Sequence, residues 1–231
     1  MIYFHEVQKT IGNRTVISNL TLFLPKASYT HLCGDRQSGK TTLVRLMMAY
    51  EKPDDGTLTI DGLDIGSIPD ARIPYLRRQI GLIADTPALL EDRTVVENIS
   101  VPLQLAGFDR DVIDQRLNAM LELTGLGEKK ATKVNSLTAP TRQVVSTARA
   151  IIHRPPIVVA DEPLHNLDDE TAGLIVSLLN DAHTSGTTVL VTCQSNTELL
   201  KHGAASTKTV TLKAGSILDD EQNEFEQDTI G

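Results

Sequence analysis

Apolar and polar positions alternate over residues 2–8 and again over 15–24, the period-two signature of strands with one buried face. Residues 28–33, Ser-Tyr-Thr-His-Leu-Cys, read as a strand running into a glycine-bounded loop. Over 40–50 the spacing lengthens to that of a helix, through Leu43, Leu46, Met47 and Tyr50. Pro53-Asp54-Asp55-Gly56 marks a turn, followed by a strand at 57–60, a second turn at Asp61-Gly62 and a short strand at 79–84. From 92 to 150 the pattern is helical. Asp92 or Thr94 can cap a helix bearing Val95, Val96 and Ile99. Asp109 to Leu123 repeats apolar residues at Val112, Ile113, Leu117, Met120 and Leu121, and Gly125 and Gly127 end it. Then come a helix over 140–152, an apolar strand Ile157–Ala160, a helix over 169–184, a strand over 187–193 and a hairpin from 207–212 and 216–218. No internal repeat or low-complexity linker interrupts this order. It predicts an α/β fold, a βαβ core with a helical block set between its strands.

Composition agrees with a globular domain. The 231 residues are 40% hydrophobic and 23% charged, enough for one large domain or two small ones. With no Trp and 3% aromatics, Leu, Ile and Val must fill the core. The absence of a run of about 18 apolar residues predicts no membrane span. Met1-Ile-Tyr-Phe-His-Glu6 has neither a basic region nor a long apolar stretch, so no secretory signal is expected and the chain should stay in the cytosol. Six of the 30 acids fall in the last thirteen residues, which hold no Lys or Arg, so 219–231 is expected to be an acidic flexible tail. The net charge of −8 becomes −2 without it, and neither figure suits nucleic-acid binding, which needs a basic footprint. Cys33 and Cys193 are too few for a disulfide scaffold and are expected as buried, reduced thiols. No His/Cys cluster has metal-ligand spacing, and no G-x-S-x-G elbow occurs.

Chemistry concentrates at two places. Gly34-Asp35-Arg36-Gln37-Ser38-Gly39-Lys40-Thr41 fits G-x-x-x-x-G-K-S/T, after a strand and opening a helix. Its glycines let backbone N–H groups turn inward on a phosphate, and the helix start adds its dipole. Lys40 is assigned to the β/γ-phosphates, Thr41 to Mg²⁺, and Thr42 to the binding loop. Arg36 either adds positive charge near phosphate or points to solvent. Downstream, Ile157-Val-Val-Ala-Asp161-Glu162 is an apolar strand delivering carboxylates at its C-terminal end. Asp161 would hold the metal shell and Glu162 would polarise an attacking water.

Asp161-Glu-Pro-Leu-His-Asn-Leu-Asp168 resembles the Walker B and D-loop of nucleotide-binding subunits of ABC transporters. Pro74-Tyr-Leu-Arg-Arg-Gln-Ile-Gly81, Leu89–Val95, Glu97-Asn-Ile99 and Val101-Pro-Leu103 are similar to the FtsE-like cell-division group, and less so to lipoprotein exporters. The resemblance spans residues 1–218 as one ATP-binding domain, with a helical subdomain at about 86–150. It implies a P-loop NTPase fold with a RecA-like core, an N-terminal antiparallel β subdomain and an inserted helical subdomain. It also implies ATP and Mg²⁺ as ligands, and a head-to-tail dimer, homo- or hetero-. An FtsX-like permease would be the membrane partner, docking over 85–108 (Leu89, Leu90, Leu103, Leu105, Phe108). Such a protein would lie on the inner face of the plasma membrane and act in cell division. A lipoprotein or macrolide exporter subunit and a non-hydrolysing scaffold half are the alternatives.

The chain departs from the family pattern at four places. Leu137-Thr-Ala-Pro-Thr141 replaces the glycine-rich signature, and Pro140 removes a backbone donor. Asp85 stands at the Q-loop glutamine and Gln194 at the switch histidine, and Gln cannot carry a proton. Ile11 takes the place of the aromatic that stacks on adenine, a contact worth roughly 1–3 kcal/mol where measured on nucleic acids. Nucleotide binding with weak hydrolysis is expected, Glu162 and Gln194 being the catalytic candidates and Asp85 joining Thr41 and Asp161 at the metal. His165 is expected on a surface loop near the dimer seam.

Overall fold

Alternation along the strands resolves into two sheets in a computed structural model of the protein, which describes residues 1–222. In chain order the elements are β1 (Ile2–Ile11), β2 (Arg14–Leu24), β3 (Tyr29–Cys33), α1 (Lys40–Met47), β4 (Asp55–Ile60), β5 (Leu63–Asp64), α2 (Ile73–Arg78), β6 (Ile80–Ile83), α3 (Val95–Leu105), α4 (Arg110–Leu123), α5 (Ala139–Ile151), β7 (Ile157–Asp161), α6 (Asp169–Thr184), β8 (Thr188–Cys193), α7 (Thr197–Lys201), β9 (Lys208–Lys213) and β10 (Ser216–Gln222). An antiparallel sheet runs β2-β1-β4-β5, and a six-stranded sheet runs β10-β9-β3-β8-β7-β6. In the larger sheet β3, β6, β7, β8 and β9 are parallel, and β10 turns back antiparallel on β9.

The parallel strands read as unbroken apolar runs because both of their faces are covered. Ile157, Val159 and Leu190 face one core, shared with α1 and the antiparallel sheet. Val158, Ala160, Val189 and Val191 face the other, against α6. A third apolar cluster, of α3, α4 and α5, forms the helical block. α5 joins it to the sheet, since Val144, Val145 and Ala148 pack inside the block while Ala150 and Ile151 pack on the second core. Gly81 permits that seam: a Cβ there would lie 2.3 Å from the Ala150 carbonyl oxygen.

Thr94, not Asp92, caps α3. Its hydroxyl accepts from Glu97 N at 3.2 Å and Glu97 accepts from Thr94 N at 2.7 Å, a reciprocal box. α2 is too short for its period to register in the sequence; Arg77 ties it down by donating to the carbonyls of Met48 and Ala49 at 3.0 and 3.2 Å. Two expectations are corrected. The acidic segment expected as a tail from 219 begins inside β10, where Asp219 to Gln222 pair with β9 and Asp220 meets the buried Lys208 ammonium at 2.8 Å. Residues 223–231 of that expected tail lie outside the described residues. Of the apolar residues expected to form a docking face, Leu89 and Leu103 are buried inside the helical block with Phe108 packed on them. Leu90 and Leu105 stay exposed, at 47% and 61%. Among the described residues no helix is long and apolar enough to cross a membrane.

His31, fully buried on β3, packs edge-on against Tyr29, which in turn meets His183. Burial pushes the His31 imidazole down to about 4. The unfolded chain binds that proton below about 6.5, so stability is complete above that pH and falls as pH drops towards 4, by about 3 kcal/mol from this group. Urea midpoints taken between pH 7.5 and 4.5 should fall steeply in the parent and more gently in His31→Gln.

Candidate functional site

The phosphate-type loop is shaped by the end of β3 against its neighbours. Gly34 N donates to the Cys193 carbonyl at 3.1 Å, Ser38 N to Asp35 O at 3.2 Å, and Gly215 N to Ser38 O at 2.9 Å. A Cβ on Gly34 would stand 2.3 Å from the Leu212 carbonyl oxygen, so only glycine fits that approach. Gly39, with φ of +110°, caps α1 in the left-handed region, and a Cβ there would press on Ile17 at 2.6 Å. Lys40 is buried at 4% exposure and folds back over the loop. It donates to the carbonyls of Gly34 and Asp35 at 2.6 and 3.0 Å and pairs with Glu162 at 3.2 Å.

The acidic partner comes from the neighbouring strands. β7 and β8 run in register, with Asp161 opposite Thr192. The Thr192 hydroxyl donates to Asp161 Oδ1 at 2.6 Å and accepts from Glu162 N at 2.9 Å. Burial holds the Asp161 carboxyl above its ordinary range; hydrogen bonds from Thr192 and Thr41 oppose the rise, and the charges of Glu162 and Asp85 add to it. Glu162 itself sits at φ of +45°, a left-handed backbone unusual for a glutamate. That twist turns the chain out of the strand and sets its carboxylate against Lys40.

These groups converge on a cleft of about 360 Å³. Arg14, Arg36 and Lys40 supply three cations and Asp85, Asp161 and Glu162 three carboxylates, with Gln37, Ser38, Gly39, Thr41 and Thr42 between them. Ser38 Oγ is buried there without a hydrogen-bond partner, which is the kind of orphaned donor an anionic ligand satisfies. The donor set also suits Mg²⁺, which takes one or two carboxylate or hydroxyl ligands and completes its shell with phosphate oxygens and water.

Gly34 and Asp35 do not line this cleft. They face a second one of about 480 Å³ with Cys33, Gln194, Asn196 and Thr211, so the Asp35 charge stands apart from Arg36. Gln194 also borders a third cleft of about 470 Å³, with Glu162, His165, Cys193 and Ser195. Ile11 is not brought to the site. It ends β1 beside the hairpin turn, 48% exposed, and Arg14 and Val16 of β2 form that wall instead. Arg14 donates to Gln37 Oε1 at 3.3 Å, tying the hairpin to the loop.

Thr138 stands at the N-terminus of α5 with its hydroxyl 2.9 Å from that of Thr141, and Pro140 lies in the first turn. Behind them is a residue the sequence reading missed. The buried Gln143 amide donates to the Ala84 carbonyl at 3.2 Å and the Pro163 carbonyl at 3.3 Å. It thereby staples the segments that carry Asp85 and Glu162. A glutamine within the buried face of an amphipathic helix is the signal that could have found it. Thr192, inside an apolar strand, is marked in the same way.

Because the site carboxylate is buried at a cost to folding, Asp161→Asn should raise the thermal unfolding midpoint of the ligand-free protein. Calorimetry at pH 7.5 checks it, and the gain should shrink towards pH 4 as the parent carboxylate protonates.

Comparison with known proteins returns the same frame. A family model described as ABC transporter matches residues 17–165. The cell division ATP-binding protein FtsE of Haemophilus influenzae is 39% identical over 193 residues, covering 83% of this chain and 88% of that relative. The methionine import ATP-binding protein MetN of Rhizobium meliloti is 37% identical over 178 residues, covering 77% of this chain and 50% of that relative. Among solved structures, a dimeric structure of MJ0796, a bacterial ABC transporter cassette, superposes with a TM-score of 0.88 at 26% identity, over 97% of this chain and 100% of that one. A post-hydrolysis dimer of the same cassette, bound to ADP and Pi, gives 0.87 at 25% identity, again over 97% and 100%.

Proposed function

The chain belongs to the ABC transporter family, as an ATP-binding subunit with the P-loop NTPase fold, and from that premise we propose that it is the FtsE-like, weakly hydrolysing ATPase of a membrane complex acting in cell division. The observation that carries the reading is the meeting of opposite charges in the 360 Å³ cleft. Arg36 and Lys40 of the loop, with Arg14 of β2, face the carboxylates of Asp85, Asp161 and Glu162, a donor set that suits a triphosphate together with its magnesium.

In this reading Lys40, Arg36 and the loop amides hold the phosphates, while Thr41 and Asp161 hold the metal, which when bound draws charge off the phosphate oxygens. Asp85 is its more distant carboxylate. Glu162 orients and deprotonates the attacking water. Gln194 lies outside the 360 Å³ cleft but shares a neighbouring one with Glu162. It would have to turn toward the terminal phosphate to hydrogen-bond it, and could not donate a full proton. Three features support slow turnover. Lys40 and Glu162 hold each other at 3.2 Å, so each must be released before it can act. Pro140 removes a donor from the helix start that would face a nucleotide across a head-to-tail dimer. Gln194, in the place of the switch histidine, has no titrating proton to relay.

The membrane partner is read as an FtsX-like permease, with the protein peripheral to the inner face of the plasma membrane. A groove of about 190 Å³ between α2, β6, α3 and α5 supports that placement. Arg77, Arg78, Arg149 and His153 line it beside Pro102 and Leu105, and no acid does. The groove would take an apolar and an acidic side chain projecting from a partner helix. The scaffold half of an asymmetric pair is favoured over a symmetric dimer by the same Pro140.

Mg-ATP should bind the parent, and Lys40→Ala should weaken binding by about 100-fold or more, measured by equilibrium titration. Turnover of the isolated protein should stay below about 1 s⁻¹ by phosphate release, and Glu162→Gln should abolish what remains while leaving binding intact. Faster turnover that disappears in Glu162→Gln overturns the weak-hydrolysis reading. Absence of Mg-ATP binding overturns the function.

A further inference from the structure

The two thiols of this chain end adjacent strands. Cys33 closes β3 and Cys193 closes β8, and the two are partners in the parallel register. Their Sγ atoms lie 3.2 Å apart, about 1 Å more than a disulfide bond. Neighbouring strands keep Cα atoms roughly 4.8 Å apart, within the span a disulfide bridges. Bond formation therefore asks for side-chain rotation and no backbone movement.

Both residues also border clefts, Cys33 being 8% exposed and Cys193 half-buried. Cys33 borders the cleft shared with Asn196 and Thr211, and Cys193 borders the cleft shared with Glu162 and His165. The two clefts share Gln194 and Ser195, so both thiols are approached from the same loop end of the sheet.

We propose that Cys33 and Cys193 are a modification site, a dithiol that hydrogen peroxide closes reversibly to a disulfide at the root of the phosphate-binding loop. Cys33 is the attacking sulfur. The hydrogen bond from Cys193 holds the Cys33 thiol below the usual range against the opposing effect of burial, with the Asn196 N–H and the Lys40 charge also lowering it. The bond to Cys33 and burial hold the Cys193 thiol up. The Cys33 thiolate attacks one peroxide oxygen, forming an S–O bond as the O–O bond breaks, and the departing hydroxide takes up the proton released by the Cys33 thiol and leaves as water. The Cys193 sulfur then attacks Cys33 Sγ, the S–S bond forms, and the hydroxyl departs as water with the Cys193 proton. Peroxide is reduced to two waters and two thiols are oxidised to one disulfide. A thiol reductant reverses it by exchange.

The bond would sit one residue before Gly34, whose carbonyl receives Lys40, and one residue after Thr192, which holds Asp161. Its chemistry does not depend on a nucleotide, so it stands or falls apart from the proposed function.

The reduced full chain, treated with hydrogen peroxide, is read by intact mass, alkylation and a non-reducing peptide map. The expected product is monomeric, two hydrogen atoms lighter, closed to alkylation, linked from Cys33 to Cys193, and restored by dithiothreitol. In Cys193→Ser, Cys33 should accumulate as a sulfenic acid that dimedone traps. In Cys33→Ser, peroxide consumption should fall about tenfold or more. Thiols that stay open to alkylation, oxygen adducts without a crosslink, or linkage between two chains would each overturn the proposal. The parent measurement alone decides it if either variant fails to fold.

Discussion

The Thr192 hydroxyl holds the site together. It donates to Asp161 and accepts from Glu162 N, so one oxygen fixes the Asp161 carboxylate and the backbone that carries Glu162. It can do so because β7 and β8 pair in register, which puts Thr192 opposite Asp161. That register is secured by burial on both faces, since a slip of one residue would exchange Val158 and Ala160 with Val159 between two different cores. The site's geometry is thus a consequence of how the parallel sheet is packed, and a charge is kept buried at the strand end because a hydroxyl partner is fixed there in advance.

The loop and the acids meet in mutual neutralisation. Lys40 spends its donors on two loop carbonyls and Glu162, an arrangement that satisfies a buried ammonium. A polyanion would compete with these partners, offering more charge than either carbonyls or a single carboxylate. The helical block reaches the same place through α5. Gln143 joins the ends of β6 and β7, so α5 is tied directly to the segments bearing Asp85 and Glu162. Pro140 at the head of α5 is compatible with that structural task, because the first turn of a helix needs no donor there.

The fold was largely legible in the chain, and the reasons are local. β3, α1, β7, α6 and β8 lie within a residue or two of the pattern, or in α1 three, because period and turn chemistry are short-range properties. The phosphate-type loop was legible because its glycines are demanded by contacts, Gly34 against the Leu212 carbonyl and Gly39 against Ile17. Illegible were α2 and α7, each too short to show a period, and the extension of β10, whose acidic residues read as a solvated tail until the Lys208 ammonium was seen beneath Asp220. Ile11 was assigned to the site by motif position, but the hairpin twists it outward and brings Arg14 and Val16 to the wall.

The sequence by itself determined the order of the longer elements, the loop that can cradle phosphate, and the carboxylates that can answer it, since each depends on neighbours a few residues away. The tertiary structure alone decided that Thr192 and Gln143 support those carboxylates, that Lys40 turns inward to Glu162, that most of the apolar residues near 85–108 are core, and that two cysteines 160 residues apart touch. Those facts depend on strand register and helix docking, which sum many weak contacts over the whole chain and leave no signature in any one segment.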